Sequence, residues 1–66
     1  MRAEIGINMD NEAFGAAPGG ELARILEVFC AHLRHNPYVS PGESWSAMDI
    51  NGNKVGALNI KGKRLV

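Results

Sequence analysis

The side chains of this chain best suited to metal binding are Cys30, His32 and His35, which lie close together in the sequence. Cysteine and histidine are the usual zinc ligands, and a structural zinc site needs four ligands in tetrahedral geometry. On a helix His32 and His35 are neighbours, whereas Cys30 lies about 160° from His32 around the axis. Two histidines do not complete a site. We therefore expect no metal ion and no cofactor, and we predict that Cys30 is a small buried apolar side chain.

The run Asp49–Asn53, DINGN, has the oxygen-rich composition of a calcium-binding loop. An EF-hand loop needs glycine at its sixth position and a bidentate glutamate at its twelfth. Counted from Asp49, the glycine is fourth and the twelfth position is Ile60. A hairpin turn explains these residues better than a calcium site.

Acidic and hydroxyl side chains that would suit catalysis occur near predicted loops, at Asp10, Glu12, Glu43 and Ser44. None of them forms a serine–histidine–acid or cysteine–histidine pattern, and the glycine-rich segment GAAPGG lacks the Lys-Ser/Thr of a phosphate-binding loop. A chain of 66 residues also has little room for an enclosed pocket. We predict no catalytic residues and no enzymatic activity.

Basic residues cluster at the C-terminal end, at Lys61, Lys63 and Arg64. Trp45 and Tyr38 would be the stacking groups of a nucleic-acid-binding edge built on them. Seven basic residues are balanced by seven acidic ones, however, and strong nucleic-acid binding usually comes with a basic excess. Nucleic-acid binding is therefore the alternative rather than the leading hypothesis.

The element that must organise these residues is a helix predicted over positions 20–35, between Pro18 and Pro37. Its apolar residues repeat at helical spacing, which is typical of a helix with one buried face. The residues predicted to face the core are Leu22, Ile25, Leu26, Phe29 and Leu33.

A strand is predicted over positions 2–9, where apolar and polar residues alternate. The face expected to be buried carries Ala3, Ile5, Ile7 and Met9. Phe14, in the connection that follows, is predicted to close one end of the core.

A hairpin is predicted over positions 44–61, because Asn51-Gly52 separates two strand-like runs and favours a two-residue type I′ turn. That turn predicts three cross-strand pairs: Asp49 with Lys54, Met48 with Val55, and Trp45 with Leu58. The face toward the helix would carry Trp45, Ala47, Leu58 and Ile60, and the other face Ser46, Met48 and Val55. A three-residue loop with a bulge stays open as an alternative and would reassign the faces.

Together these elements predict an α+β fold of one domain spanning residues 1–66, with a tail over 62–66. The order β-α-β-β favours a three-stranded antiparallel sheet in the order 1-3-2, with the helix on one face.

A partner is expected because a chain this short buries only ~60% of the surface exposed in its unfolded form. One cysteine allows no internal disulfide, and zero formal net charge permits association. We expect a homodimer, docking onto a larger protein, or both. The surface predicted to serve it carries Val28, Ser46, Met48 and Val55. No signal peptide or membrane-spanning run is recognisable, which predicts a cytoplasmic protein.

Three segments, MDNEAF, ELARIL and DINGNKVG, resemble a loose family of small uncharacterised proteins encoded by bacteriophages and prophages. The resemblance covers most of the chain and implies no functional residue. It implies a phage accessory role in a bacterial cell, of which inhibition of a defence system, as by an anti-CRISPR protein, is one form. The expected function is thus non-enzymatic protein binding.

Overall fold

The computed structural model describes residues 1–63 of this chain. It contains a strand β1 (Arg2–Ile7), a helix α1 (Pro18–His35), and two further strands, β2 (Ser44–Met48) and β3 (Lys54–Lys61). The strands form one open antiparallel sheet in the order β1-β3-β2, and the helix lies on one face. The predicted α+β fold and strand order are confirmed.

β1 ends two residues before the predicted boundary because Asn8 turns the chain. The Asn8 backbone N–H still donates to the Val55 carbonyl oxygen at 2.8 Å, but its side-chain Oδ1 accepts from the Asp10 N–H at 2.9 Å. Short polar side chains of this kind compete with the strand ladder by bonding to nearby backbone groups. A short 3₁₀ turn, Glu12–Phe14, then leads toward the helix.

α1 begins two residues before the predicted boundary, with Pro18 in its first turn. Proline suits that position because its missing N–H has no partner within the helix there. At the other end the Asn36 N–H donates to the His32 carbonyl oxygen at 2.9 Å, and Pro37 disfavours helical geometry at Asn36.

The core lies between α1, the 3₁₀ turn and the hairpin. Its fully buried members are Phe14, Ile25, Phe29, Ala47 and Leu58. Phe14 closes the core as predicted, and Leu33 and Trp45 pack against it partly buried. The prediction for Leu26 is wrong, because 36% of this residue is exposed. It follows Ile25 by about 100° around the helix and lies on the flank of the stripe that Ile25 and Phe29 define.

The helix covers β2 and β3 rather than β1. Ala47 on β2 is 1% exposed, whereas Ile5 on β1 is 50% exposed although it shares a face with Leu58, its partner on β3. The predicted buried face of β1 is therefore wrong for Ala3, Ile5 and Met9 and right only for Ile7, which packs on the core. A single helix is too narrow to cover a three-stranded sheet completely.

The hairpin uses the bulged alternative at its tip. Trp45 pairs with Leu58 as predicted, but Lys54 pairs with Met48 instead of Asp49, and the register shifts between Ala47 and Met48. The loop contains three residues between Asp49 and Asn53, whose backbones are joined by an N–H···O bond of 2.9 Å. Aspartate at the first position of a type I turn and glycine at positive φ favour this geometry, and Gly52 has φ of 84°.

The molecule is longer than it is wide, with principal extents of 45 × 20 × 17 Å. Its radius of gyration is 13.0 Å, against about 11 Å for a compact domain of this length. Within residues 1–63, no helix combines the length and the apolarity needed to cross a bilayer.

Candidate functional site

A buried carboxylate, Asp49, joins the hairpin tip to the connection between β1 and α1. Its Oδ1 accepts from the backbone N–H groups of Asn51 and Asn53, at 2.9 and 2.8 Å. Its Oδ2 accepts from the side-chain amides of Asn11 at 2.7 Å and Asn53 at 3.2 Å. The hydrogen bond from the Asn53 backbone, together with those from the side chains of Asn53 and Asn11, holds the pKa of Asp49 below its usual value.

A second buried carboxylate, Glu21, fastens the first turn of α1 to the same loop. The Arg24 guanidinium donates to both Glu21 oxygens, at 2.8 and 2.9 Å, and the Ile50 backbone N–H donates to Oε2 at 2.8 Å. The hydrogen bonds from Arg24 and then Ile50 lower the pKa of Glu21, and the carboxylate in turn raises the pKa of Arg24. Glu21 also lies at the positive end of the helix dipole, which favours its ionised form.

The contacts of both carboxylates therefore give them structural roles. Hydrogen-bond donors of the chain itself occupy their oxygens, and two acids held ionised in this way are poor candidates for proton transfer near neutral pH. What the network does is position the end of β2. Arg24 completes this by donating from Nη2 to the Met48 carbonyl oxygen at 2.8 Å.

Two residues of the network, Arg24 and Asp49, line one end of a groove between α1 and β2, which we call the edge groove. It encloses about 180 Å³. Its walls are Arg24, Val28 and His32 on the helix, and Ser46 and Met48 on the strand. Val28 and Met48 are each 44% exposed and form an apolar rim beside the polar end, and the buried side chains of Ile25, Phe29 and Ala47 also line the groove.

The strand that borders the edge groove has a free hydrogen-bonding edge. The Ile60 N–H donates to the Glu43 carbonyl oxygen, and backbone direction alternates along an antiparallel strand. Ser44, Ser46 and Met48 therefore direct their N–H and C=O groups away from β3. The bond from Arg24 to the Met48 carbonyl fits this assignment. No strand among the described residues pairs with that side of β2.

The opposite edge of the sheet, β1, is protected by charge. Glu4 forms ion pairs with Lys61 at 3.2 Å and Arg2 at 2.5 Å, on the face that the helix leaves open. Hydrogen bonds from Lys61 and then Arg2 lower the pKa of Glu4. Charged side chains along an edge discourage the addition of another strand. β2, SWSAM, contains no charged residue and no proline.

The structure unites three of the four residues predicted for the partner surface. Val28, Ser46 and Met48 line the edge groove. Val55 does not share their face as predicted, because it packs against the core and borders a different, open depression beside Lys54. The physical reason is the register shift at the tip, which the two-residue turn did not include.

The residues predicted for a nucleic-acid-binding edge do not form one within residues 1–63. Lys61 is paired with Glu4, whereas Trp45 lies on the opposite, helix-covered face and packs on the core. Tyr38 is almost fully exposed in the loop after α1, and Lys63 is exposed. Arg64 lies outside the described residues.

The helical residues considered as metal ligands lie at the surface. Cys30 is exposed, so the prediction that it is buried is wrong. It lies on the side of α1 away from the core, where a small apolar side chain is tolerated without a packing role. His32 contributes to the wall of the edge groove, and His35 is exposed in the last turn of the helix.

The polar network beside the groove is not apparent in the sequence. The pattern around Asp49 and its asparagine neighbours is that of a turn, and the Asn11 amide that reaches Asp49 is 38 positions away. Glu21 occupies a position in line with Ile25 and Phe29 and is buried with them. A carboxylate at the head of an apolar helical stripe was the one available signal.

Comparisons of this chain with models of protein families, with curated proteins and with solved structures each find no match.

Proposed function

We propose that this protein acts by binding other polypeptide chains at the edge groove and turns over no substrate. The observation that carries the proposal is the free edge of β2, which is uncharged and lies beside the exposed side chains of Val28 and Met48. Unpaired backbone groups in a row are matched by another extended chain, and an apolar rim adds contact area.

The rigidity of the groove supports the same proposal. Arg24 is held by Glu21, and the end of β2 is held by Arg24, so the two walls keep a defined separation. A surface that is organised before binding loses less conformational entropy when a partner arrives.

In the cell this protein would be a phage- or prophage-encoded accessory protein of the bacterial cytoplasm. It would occupy a surface of a larger host protein, and inhibition of a defence system in the manner of an anti-CRISPR protein is one such role. The small domain and the absence of formal net charge suit binding by contact rather than by long-range electrostatic attraction.

Site-specific photo-cross-linking in bacterial cells tests the proposal. A cross-linking side chain at Met48 is expected to capture a polypeptide, and the same side chain at Ala23, which is exposed away from the groove, is expected to capture none. Val28→Glu places a charge on the apolar rim and should reduce the Met48 cross-link at least tenfold. Ala23→Glu is the matched control and should leave it unchanged. Equal capture from Met48 and Ala23, or capture from neither, would contradict the proposal.

A further inference from the structure

The occupant of the edge groove can be inferred from the strand that borders it. We propose that β2 of one molecule pairs antiparallel with β2 of a second copy, so that the two three-stranded sheets join into one of six strands. This inference rests on the proposed function of the edge groove and names a second copy as its occupant, so a larger host protein would contact the dimer at its other surfaces.

The outward backbone groups of β2 match those of another strand. Ser44, Ser46 and Met48 present their N–H and C=O groups outward, and the Met48 carbonyl oxygen, which accepts from Arg24, has a second lone pair for an added strand. An added antiparallel strand supplies alternating donors and acceptors at the same spacing. A helix or an irregular loop would leave part of the edge unpaired.

The sequence of β2 is complementary to itself in one register. With the two-fold axis at Ser46, Ser46 lies opposite Ser46 of the second copy, and Ser44 lies opposite Met48 of the second copy. Trp45 then faces Ala47 of the second copy, which sets a large side chain against a small one. Within the five paired residues no like charges meet, because SWSAM carries none. One step beyond them the same register places Glu43 opposite Asp49 of the second copy, and each of these carboxylates accepts hydrogen bonds from backbone N–H groups of its own chain.

The position of the helix extends the contact beyond the backbone. Because α1 covers β2 rather than β1, Val28 and Ser46 line the same groove. A two-fold axis through Ser46, perpendicular to the sheet, places both helices on one face, with the two Val28 side chains on the sides of α1 that border the joined edge. Association would thus reduce the exposure of Val28, which is 44% in the single chain.

The β1 edge does not offer the same contact. Arg2 and Glu4 are charged residues of that edge strand, and Glu4 is already engaged in ion pairs with Arg2 and Lys61 on the open face. Charged side chains along an edge discourage the addition of a strand.

The strength of the dimer follows from its size. Strands of five residues and a few apolar side chains make a small interface, of the kind found in weak complexes. We expect association that is complete near ~500 µM and largely lost below ~1 µM, a micromolar dissociation constant.

Charge reversal at the two-fold axis tests the proposal. Sedimentation equilibrium of the wild type is expected to show a monomer–dimer equilibrium. Ser46→Lys and Ser46→Glu should each be monomeric, because each places like charges directly opposite one another. An equimolar mixture of the two variants should form a mixed dimer at least tenfold more tightly than either variant alone.

The matched control is Ser44→Gln, which lies opposite Met48 of the second copy and places no charge beside Arg24, whose guanidinium is bonded to the Met48 carbonyl oxygen. It should change the dimer dissociation constant by less than about threefold, within the range of ordinary surface substitutions. Circular dichroism of each variant at low concentration checks that the monomer is folded. Ser46 and Ser44 are both exposed, so neither substitution alters the core.

Three results would overturn the inference. They are a wild type that stays monomeric near ~500 µM, a dimer that Ser46→Lys leaves intact, and variants that fail to associate when mixed.

The proposed function fails separately. If Met48 cross-links to a different protein while the purified chain is monomeric, the second copy is excluded as the occupant and the edge groove remains a binding site. If the chain dimerises but no polypeptide is captured from Met48, the groove itself is excluded.

Discussion

Gly56 lies opposite Ile7 in the β1–β3 ladder, at the point where the register of β3 against β2 shifts. A Cβ atom built on Gly56 would lie 1.9 Å from the Gly6 carbonyl oxygen and 2.9 Å from the Ile7 Cα. Both atoms belong to the backbone of β1 and cannot move without breaking the ladder. Only glycine fits between the two strands here.

Gly56→Ala is therefore expected to lower the free energy of unfolding by more than about 3 kcal/mol, enough to unfold much of a domain of this size. Urea denaturation followed by circular dichroism measures the change. Gly6→Ala is the matched control, since a Cβ on Gly6 meets nothing within 4 Å. It should alter stability by less than about 1 kcal/mol. If both variants lost the same free energy of unfolding, the cause would be the reduced flexibility of the strands and not the close approach of the β1 backbone to Gly56.

Asp49 makes stability depend on acid pH. Its pKa is lowered in the folded chain from an ordinary value of 3.8. The stabilisation is complete above that value and is lost as pH falls through the lowered one. The melting temperature of Asp49→Asn should be several degrees lower than that of the wild type at pH 7. The asparagine NH₂ group is a donor, and where it replaces a carboxylate oxygen it would face other N–H donors.

The melting temperature of Asp49→Asn should also fall less steeply than that of wild type as pH drops below about 4. Thermal unfolding at a series of pH values measures both effects. Asp10→Asn, a change at an exposed acid, is the control and should follow the wild-type curve. A slope for Asp49→Asn as steep as that of the wild type would assign the acid sensitivity to other groups, such as Glu21 or Glu4.

Between elements, the contact that sets the groove is the one from the start of α1 to the hairpin loop. Glu21 accepts from the Ile50 N–H, and Arg24 donates to the Met48 carbonyl oxygen. Two side chains about one turn apart on the helix therefore bind the end of β2 and the loop that follows it. Hydrophobic packing alone would let the helix slide along the sheet. The polar contacts select one position.

Glu21→Gln should loosen this attachment, because a neutral amide has one carbonyl oxygen to offer where the carboxylate has two. We expect the Ile50 amide to exchange with solvent roughly tenfold faster in native-state hydrogen exchange. Glu27→Gln, an exposed change on the same helix, should leave that rate unchanged. Faster exchange throughout the sheet would instead indicate a general loss of stability.

For the whole molecule, one small core supports all elements. Phe29→Ala removes a fully buried ring and should cost about 3–5 kcal/mol, close to the total stability expected at this size. The variant should lose its cooperative thermal transition. Leu26→Ala is the matched comparison and should cost much less, because Leu26 is 36% exposed. A larger loss for Leu26 than for Phe29 would place the buried face of α1 on the other side.

The overall architecture was predictable because its signals are local. Helical spacing from Ile25 to Leu33, the strand alternation before Met9 and the turn at Asn51-Gly52 each depend on neighbours in sequence. Each element was found in its place and the strand order followed, although the ends of β1 and α1 moved by two residues.

Tertiary structure alone decided which surfaces are free. The exposure of Ile5 and Leu26 depends on where one helix lies across three strands, and no periodicity encodes that lateral position. The bonds from Asn11 to Asp49 and from Arg24 to Met48 join residues 38 and 24 positions apart. Such contacts exist only after the chain has folded. In the folded chain the hairpin tip is bulged, Val55 packs against the core, and one groove is lined by Val28, Ser46 and Met48.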